Sequence, residues 1–176
     1  GWRVRGDIVE IESAATMLAN ARNPVIISGD GCARSGALTE VVRLAETLGA
    51  RVYSEPLNSL LVFPMGHPLY AGALFSNARQ TRALLEGADV ILLVGTTNLA
   101  PLVYTGTGLL SPETRLIQID ADPREFGKNY PVELAILADP RCGVEQLLDA
   151  LGPVTAGAVS EMITRRRAAT VQAISE

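Results

Sequence analysis

Histidine is almost missing from this chain: His67 is the only one in 176 residues. A Ser-His-Asp or Cys-His catalytic group would need that single imidazole as its base, and no nucleophile adjoins it in sequence. His67 is therefore read as structural. Cysteine is nearly as scarce. Cys32 and Cys142 lie far apart, which excludes a disulfide framework, and no Cys/His grouping has zinc spacing. Positive charge is not in excess either. The net charge is −4 and the isoelectric point about 5.1, so nucleic acid and anionic membrane are not expected partners. The one basic run, Arg165-Arg166-Arg167, reads as a solvated helix face. No apolar run is long enough to span a bilayer and none reads as a secretory signal, so a cytoplasmic location is expected.

What remains is 48% apolar and 19% charged, the balance of a folded domain. A chain of this length buries about 70% of the surface its unfolded form exposes. Short apolar runs alternate with helical periodicity. Pro24-Val25-Ile26-Ile27-Ser28 predicts a strand buried on both faces. Leu38, Val41, Val42, Ala45 and Leu48 recur at three and four, predicting a helix that ends before Gly49. Further strands are predicted at 51–54, 90–94, 116–119 and 134–137, with a helix ending at 83–87 between the second and third. Asp139-Pro140 sets a cap before an N1 proline, and the helix it opens is expected to stop at Gly152. Residues 8–21 predict one more helix ahead of the first strand. Strands spaced by helices imply a three-layer α/β/α fold with a doubly wound, mainly parallel, Rossmann-like sheet. Residues 153–176 carry few apolar positions beyond Val159, Met162 and Ile163, and read as a helix on a linker.

In such a sheet ligands bind outside the carboxyl ends of the strands, where the strand order reverses. The loops there are 29–35, 95–101 and 120–123. The candidate nucleotide cleft comprises Gly29, Asp30, Gly31, Cys32, Gly95, Thr96, Thr97, Asp120 and Asp122. Glycines after the first strand let backbone N–H groups approach a phosphate at a helix N-terminus. Their spacing, Gly29, Gly31 and Gly36, departs from G-x-G-x-x-G, and any doubly wound fold needs small residues at this turn. Glu55 stands roughly where a ribose-binding acid would. Asp120 and Asp122 could accept ribose hydroxyls or bind a divalent metal, although capping the turn at Pro123 is the commoner use. Thr96, Thr97 and Asn98 offer hydroxyls and an amide but no charge for a diphosphate. Cys142 sits near a helix N-terminus, where a thiol can be acidified; a buried, inert thiol is the expectation.

Four stretches in register resemble one family. "ANARNPVIISGDGCARSGALTEVVRLAETLGARVYSEP", "FPMGHPLYAGAL", "LLEGADVILLVGT" and "LIQIDADPREFGKNYPVELAILADPRCGVEQLLDAL" are together similar to the central domain of thiamine-diphosphate-dependent 2-oxo-acid decarboxylases and carboligases, the benzoylformate decarboxylase and acetolactate synthase superfamily. The resemblance implies a fold of the DHS-like NAD/FAD-binding type over residues 1–152. It makes 153–176 a linker and helix leading toward a C-terminal thiamine-diphosphate-binding domain. It also implies a parent enzyme that uses thiamine diphosphate and Mg²⁺ held by its other domains and assembles as a homodimer or homotetramer. The triplet Gly29-Asp30-Gly31 with Asn58 downstream looks like the metal-diphosphate motif of that family. The resemblance, however, places the true motif in the C-terminal domain, so Asp30 is not expected to bind Mg²⁺. FAD-binding members resemble R-F-D-D-R after the third-strand glycine. Here Thr96-Thr97-Asn98-Leu99-Ala100-Pro101 stands instead, which argues against FAD or ADP and leans toward the benzoylformate-decarboxylase-like branch. The expected role is an isolated structural domain, inactive alone. The alternatives are a nucleotide-binding (ADP/FAD) module of the same superfamily and a free-standing NAD-dependent enzyme.

Overall fold

The computed structural model describes residues 3–75, 77–97, 99–100 and 108–175, with Ala158 described by its backbone only. Asn98 and Pro101, part of the loop expected to face the cleft, lie outside the described residues. Six strands form one parallel sheet: β1 (Pro24–Ser28), β2 (Arg51–Ser54), β3 (Tyr70–Ala73), β4 (Val90–Val94), β5 (Arg115–Asp120) and β6 (Leu134–Leu137). They run in the order β3-β2-β1-β4-β5-β6, and every pairing is parallel. The chain winds outward from β1 in one direction and from β4 in the other, so the reversal falls between these two central strands.

The runs of β1 and β4 are apolar on consecutive residues because these central strands are covered on both faces. Ile26, Val52, Leu92, Ile117 and Ile119 face a cluster formed with α1 (Ile8–Asn20), α3 (Leu38–Leu48) and α5 (Pro140–Val154). Val25, Ile27, Tyr53, Ile91, Leu93 and Leu116 face the opposite cluster, which includes Ala78 of α4 (Ala78–Leu84). The three-layer, doubly wound architecture expected from the sequence is thus present.

Three details differ from expectation. β3 was not anticipated, since Tyr-Ala-Gly-Ala lacks a β-branched run. It pairs with β2 only across a register shift, and its Gly72 has φ 106°. The stretch after β1, expected as a loop, folds at once into the short helix α2 (Asp30–Ser35), closed by Gly36 in the left-handed region at φ 72°. α5 does not stop at Gly152 but continues through Pro153 to Val154. A proline in the last turn removes a single N–H, so it costs less there than mid-helix. Beyond it, α6 (Ala158–Ser175) forms and packs beside α1 and α3.

The basic run is not uniformly solvated. Arg166 is only 9% exposed, and its guanidinium donates from Nε to the Leu48 carbonyl at 2.7 Å and from Nη1 to the Ala21 carbonyl. Helical periodicity turns this one arginine inward while its neighbours face water. His67 holds a loop together: its Nδ1 accepts from Leu69 N at 3.2 Å, its Nε2 lies 3.5 Å from Glu46 Oε1, and its ring meets Phe63 edge-on.

Candidate functional site

At the reversal point the turn after β1 meets the turn after β4. Gly29 N donates to Val94 O at 3.0 Å, and Gly31 N donates to Gly95 O at 2.8 Å. Glycine is required here by proximity. A Cβ on Gly29 would lie 2.4 Å from the Gly95 carbonyl oxygen, and one on Gly31 would lie 2.6 Å from Gly95 Cα. Gly95 itself has φ 58°, and a Cβ there would sit 2.7 Å from Gly31 and from Cys32 N. The glycines let two backbones touch, which is a different use from letting a phosphate approach.

Glu55, at the end of β2, fills the space between these turns. Only 2% exposed, it accepts Asp30 N on Oε1 at 2.9 Å and Thr97 N on Oε2 at 2.8 Å. Its carboxylate therefore takes two of the N–H donors that a diphosphate would otherwise use. Cys32 N, the next donor in α2, is taken by Gly29 O at 2.9 Å. Glu55 is thus turned into the protein rather than toward a ribose. The sequence placed it correctly after β2, but its partners are non-local backbone groups that no spacing rule reveals.

Asp30 points its carboxylate at the loop after β2, accepting Ser59 N and Leu60 N at 3.0 Å each, with Arg34 Nη1 at 3.9 Å. This does not fit a metal-diphosphate site, because the triplet's carboxylate is committed to backbone and its glycines to Gly95. Cys32 is fully buried, and its thiol donates to Val94 O; burial pushes its pKa up to about 12. Thr96 is buried, while Thr97 also has its hydroxyl within reach of Glu55.

An open cleft of about 560 Å³ lies beside this plug, lined by Gly31, Gly95, Thr97, Asp120 and Asp122 among others. Of the sequence-derived candidates, these five share the cleft, whereas Gly29, Asp30, Cys32 and Thr96 do not line it. Its two arginines, Arg34 and Arg124, stand against four carboxylates, Asp120, Asp122, Glu125 and Asp139. Arg124, which the sequence did not single out, grips Asp122 through Nη2 at 2.6 Å and Nε at 2.9 Å. That pairing, together with Asp122 accepting Arg124 N, holds the Asp122 carboxyl down at about 2. Asp122 thereby caps a short 3-10 turn at Pro123–Glu125. Asp120 accepts Asp122 N at 2.9 Å, and burial is the main cause raising its pKa. Among the described residues, no three His, Cys, Asp or Glu side chains gather as metal ligands. No described helix is long and apolar enough to cross a membrane. Cys142, buried in the first turn of α5, has its N–H accepted by Asp139 Oδ1 at 3.2 Å.

A parallel sheet in this order, with glycine-built turns at its reversal point, defines a Rossmann-type α/β domain. Within that class the chain belongs to the thiamine pyrophosphate enzyme central-domain family, which residues 11–151 match. It is 34% identical over 146 residues to the sulfoacetaldehyde acetyltransferase of Castellaniella defragrans, covering 81% of this chain and 24% of that protein. Against the probable acetolactate synthase large subunit of Methanocaldococcus jannaschii it is 32% identical, covering 83% of this chain and 24% of that one. The structure of benzoylformate decarboxylase from Polynucleobacter necessarius superposes with a TM-score of 0.78 at 25% identity, over 85% of this chain and 28% of that one. The thiamine diphosphate-dependent 4-hydroxybenzoylformate decarboxylase of Rhodococcus jostii RHA1 gives 0.76 at 30% identity, over the same shares. The chain spans about a quarter of the length of the curated relatives it matches.

Proposed function

We propose that this chain is the non-catalytic central domain of a thiamine-diphosphate-dependent 2-oxo-acid decarboxylase or carboligase. It contributes shape and buried surface, while thiamine diphosphate and Mg²⁺ are held by flanking domains of the parent. In this reading residues 1–152 are the domain proper and the chain beyond leads to the C-terminal cofactor-binding domain. The parent works as a homodimer or homotetramer in the cytoplasm. The observation that carries the reading is the Glu55 carboxylate lodged between Asp30 N and Thr97 N, which occupies the backbone donors a nucleotide diphosphate would need. The cleft chemistry supports it, since four carboxylates outnumber two arginines that both already face acids.

The open cleft of about 560 Å³ favours a second reading, a nucleotide-binding module that takes ADP or FAD beside the plug. Candidate contacts in that reading are the members of the sequence-derived set that line the cleft, Gly31, Gly95, Thr97, Asp120 and Asp122. Titration calorimetry separates the two. The scaffold reading expects no heat of binding with ADP, FAD or NAD up to millimolar ligand, and no turnover of 2-oxo acids with thiamine diphosphate and Mg²⁺ supplied. Micromolar binding of ADP or FAD would establish the module, and decarboxylation by the 176-residue chain alone would overturn the scaffold role.

A further inference from the structure

We propose that α6 is a strap fastened by Arg166, whose guanidinium caps the C-termini of α1 and α3 together, so that displacing the strap frays both helices. The last carbonyls of a helix have no intrahelical donor, and they carry the negative end of its dipole. Ala21 is the C-cap residue of α1, and Leu48 closes α3. Arg166 donates to the carbonyls of both. One turn on, Thr170 Oγ1 donates to the Gly49 carbonyl at 3.2 Å. Three orphan acceptors on two helices are therefore satisfied by one face of a third.

The fit is close. Gly49, in the left-handed region at φ 60°, leaves so little room that a Cβ there would lie 2.9 Å from Arg167 N. The flanking Arg165 and Arg167 side chains are 82% and 50% exposed and pair with Glu161 and Glu46, whereas Arg166 is buried and, among the described residues, has no carboxylate in salt-bridge range. Among the described residues its buried Nη2 has no hydrogen-bond partner, so the two carbonyl bonds are its principal polar contacts. Asp89 acts on it electrostatically, and its own oxygens accept Arg22 N and Asn23 N just past the end of α1. Apolar support is thin: Val159, Ile163 and Val171 touch the main core. α6 joins α5 through residues 155–157, where Gly157 has φ 63°, a natural swivel for a strap.

Hydrogen exchange on the whole 176-residue chain tests this. R166M should speed exchange at least tenfold across α6 and also in the last turns of α1 and α3, residues 17–21 and 45–50. The central strands β1, β4 and β5 should stay as slow as in the unaltered protein. Protection of α6 within twofold of the unaltered chain would overturn the proposal, because apolar contacts would then suffice. Loosening of α6 with α1 and α3 unchanged would equally overturn it, since Arg166 would anchor without capping. Should R166M fail to fold, R166K and T170V carry the test. R166K keeps the charge but loses the fork and should give intermediate rates at both helix ends; T170V should speed residues 45–50 alone. Rates equal to the unaltered chain in both variants would sink the idea.

Discussion

Glu55 shows how one side chain decides what a turn is for. A buried carboxylate accepting two backbone N–H groups is a charge-assisted pair of bonds, and losing one leaves an N–H unpaired inside. E55Q, which keeps a single acceptor oxygen, should lower the urea-unfolding free energy by about 2 kcal/mol. Unchanged stability would mean the bracket is incidental. Asp120 offers a test of opposite sign. Burial raises its folded-state pKa above the ordinary 3.8, so the charged form is penalised in the folded chain. That penalty is absent below the unfolded-state pKa and complete above the raised folded one. D120N, whose carbonyl can still accept Asp122 N, should therefore match or exceed the parent's stability at pH 7, by no more than about 1 kcal/mol after solvent screening. The advantage should vanish when melts are repeated at pH 3. A variant less stable at pH 7 than at pH 3, relative to the parent, would show that the carboxylate charge is favourable instead.

At the scale of elements, the turn after β1 and the turn after β4 are joined by glycine against glycine. G31A forces a Cβ to within 2.6 Å of backbone, where nothing flexible can yield, and should cost about 3 kcal/mol in thermal unfolding. G152A is the control. Nothing lies within 4 Å of a Cβ there, so it should gain about 0.5–1 kcal/mol of helix propensity instead. The elements the sequence revealed are those with strong local signals: β1 and β4 as unbroken apolar runs, β5 by Leu116, Ile117 and Ile119 around Gln118, α3 by its three-and-four spacing, and α5 by Asp139-Pro140. β3 escaped because its Tyr-Ala-Gly-Ala is held by pairing with β2, not by propensity, and α2 because six residues are too few to show a period. Arg166 escaped for another reason. It completes a stripe through Val159, Ile163 and Val171, but as an arginine it counts as polar, so the run looked like a wet face. The positions of the candidate cleft residues were legible from the strand-end rule, since all of them lie at the carboxyl edge near the reversal point. Which of them face the cleft was not, because Asp30 and Cys32 are turned away by contacts with residues 29 to 62 positions distant.

For the whole molecule, membership in a thiamine enzyme family and the absence of a reactive cluster among the described residues bear on how it works with neighbours. Whether the chain acts without its neighbours is what calorimetry with ADP, FAD and NAD and turnover assays with 2-oxo acids measure. The outer strands add a separate consequence. β3 and β6, the two margins of the sheet, are only four residues long, and β3 is further interrupted by a register shift and by Gly72. Margins this short, one of them broken by a register shift, give a foreign strand little to pair with. Contacts of this domain with its surroundings are therefore expected to fall on helices and loops rather than on strand edges.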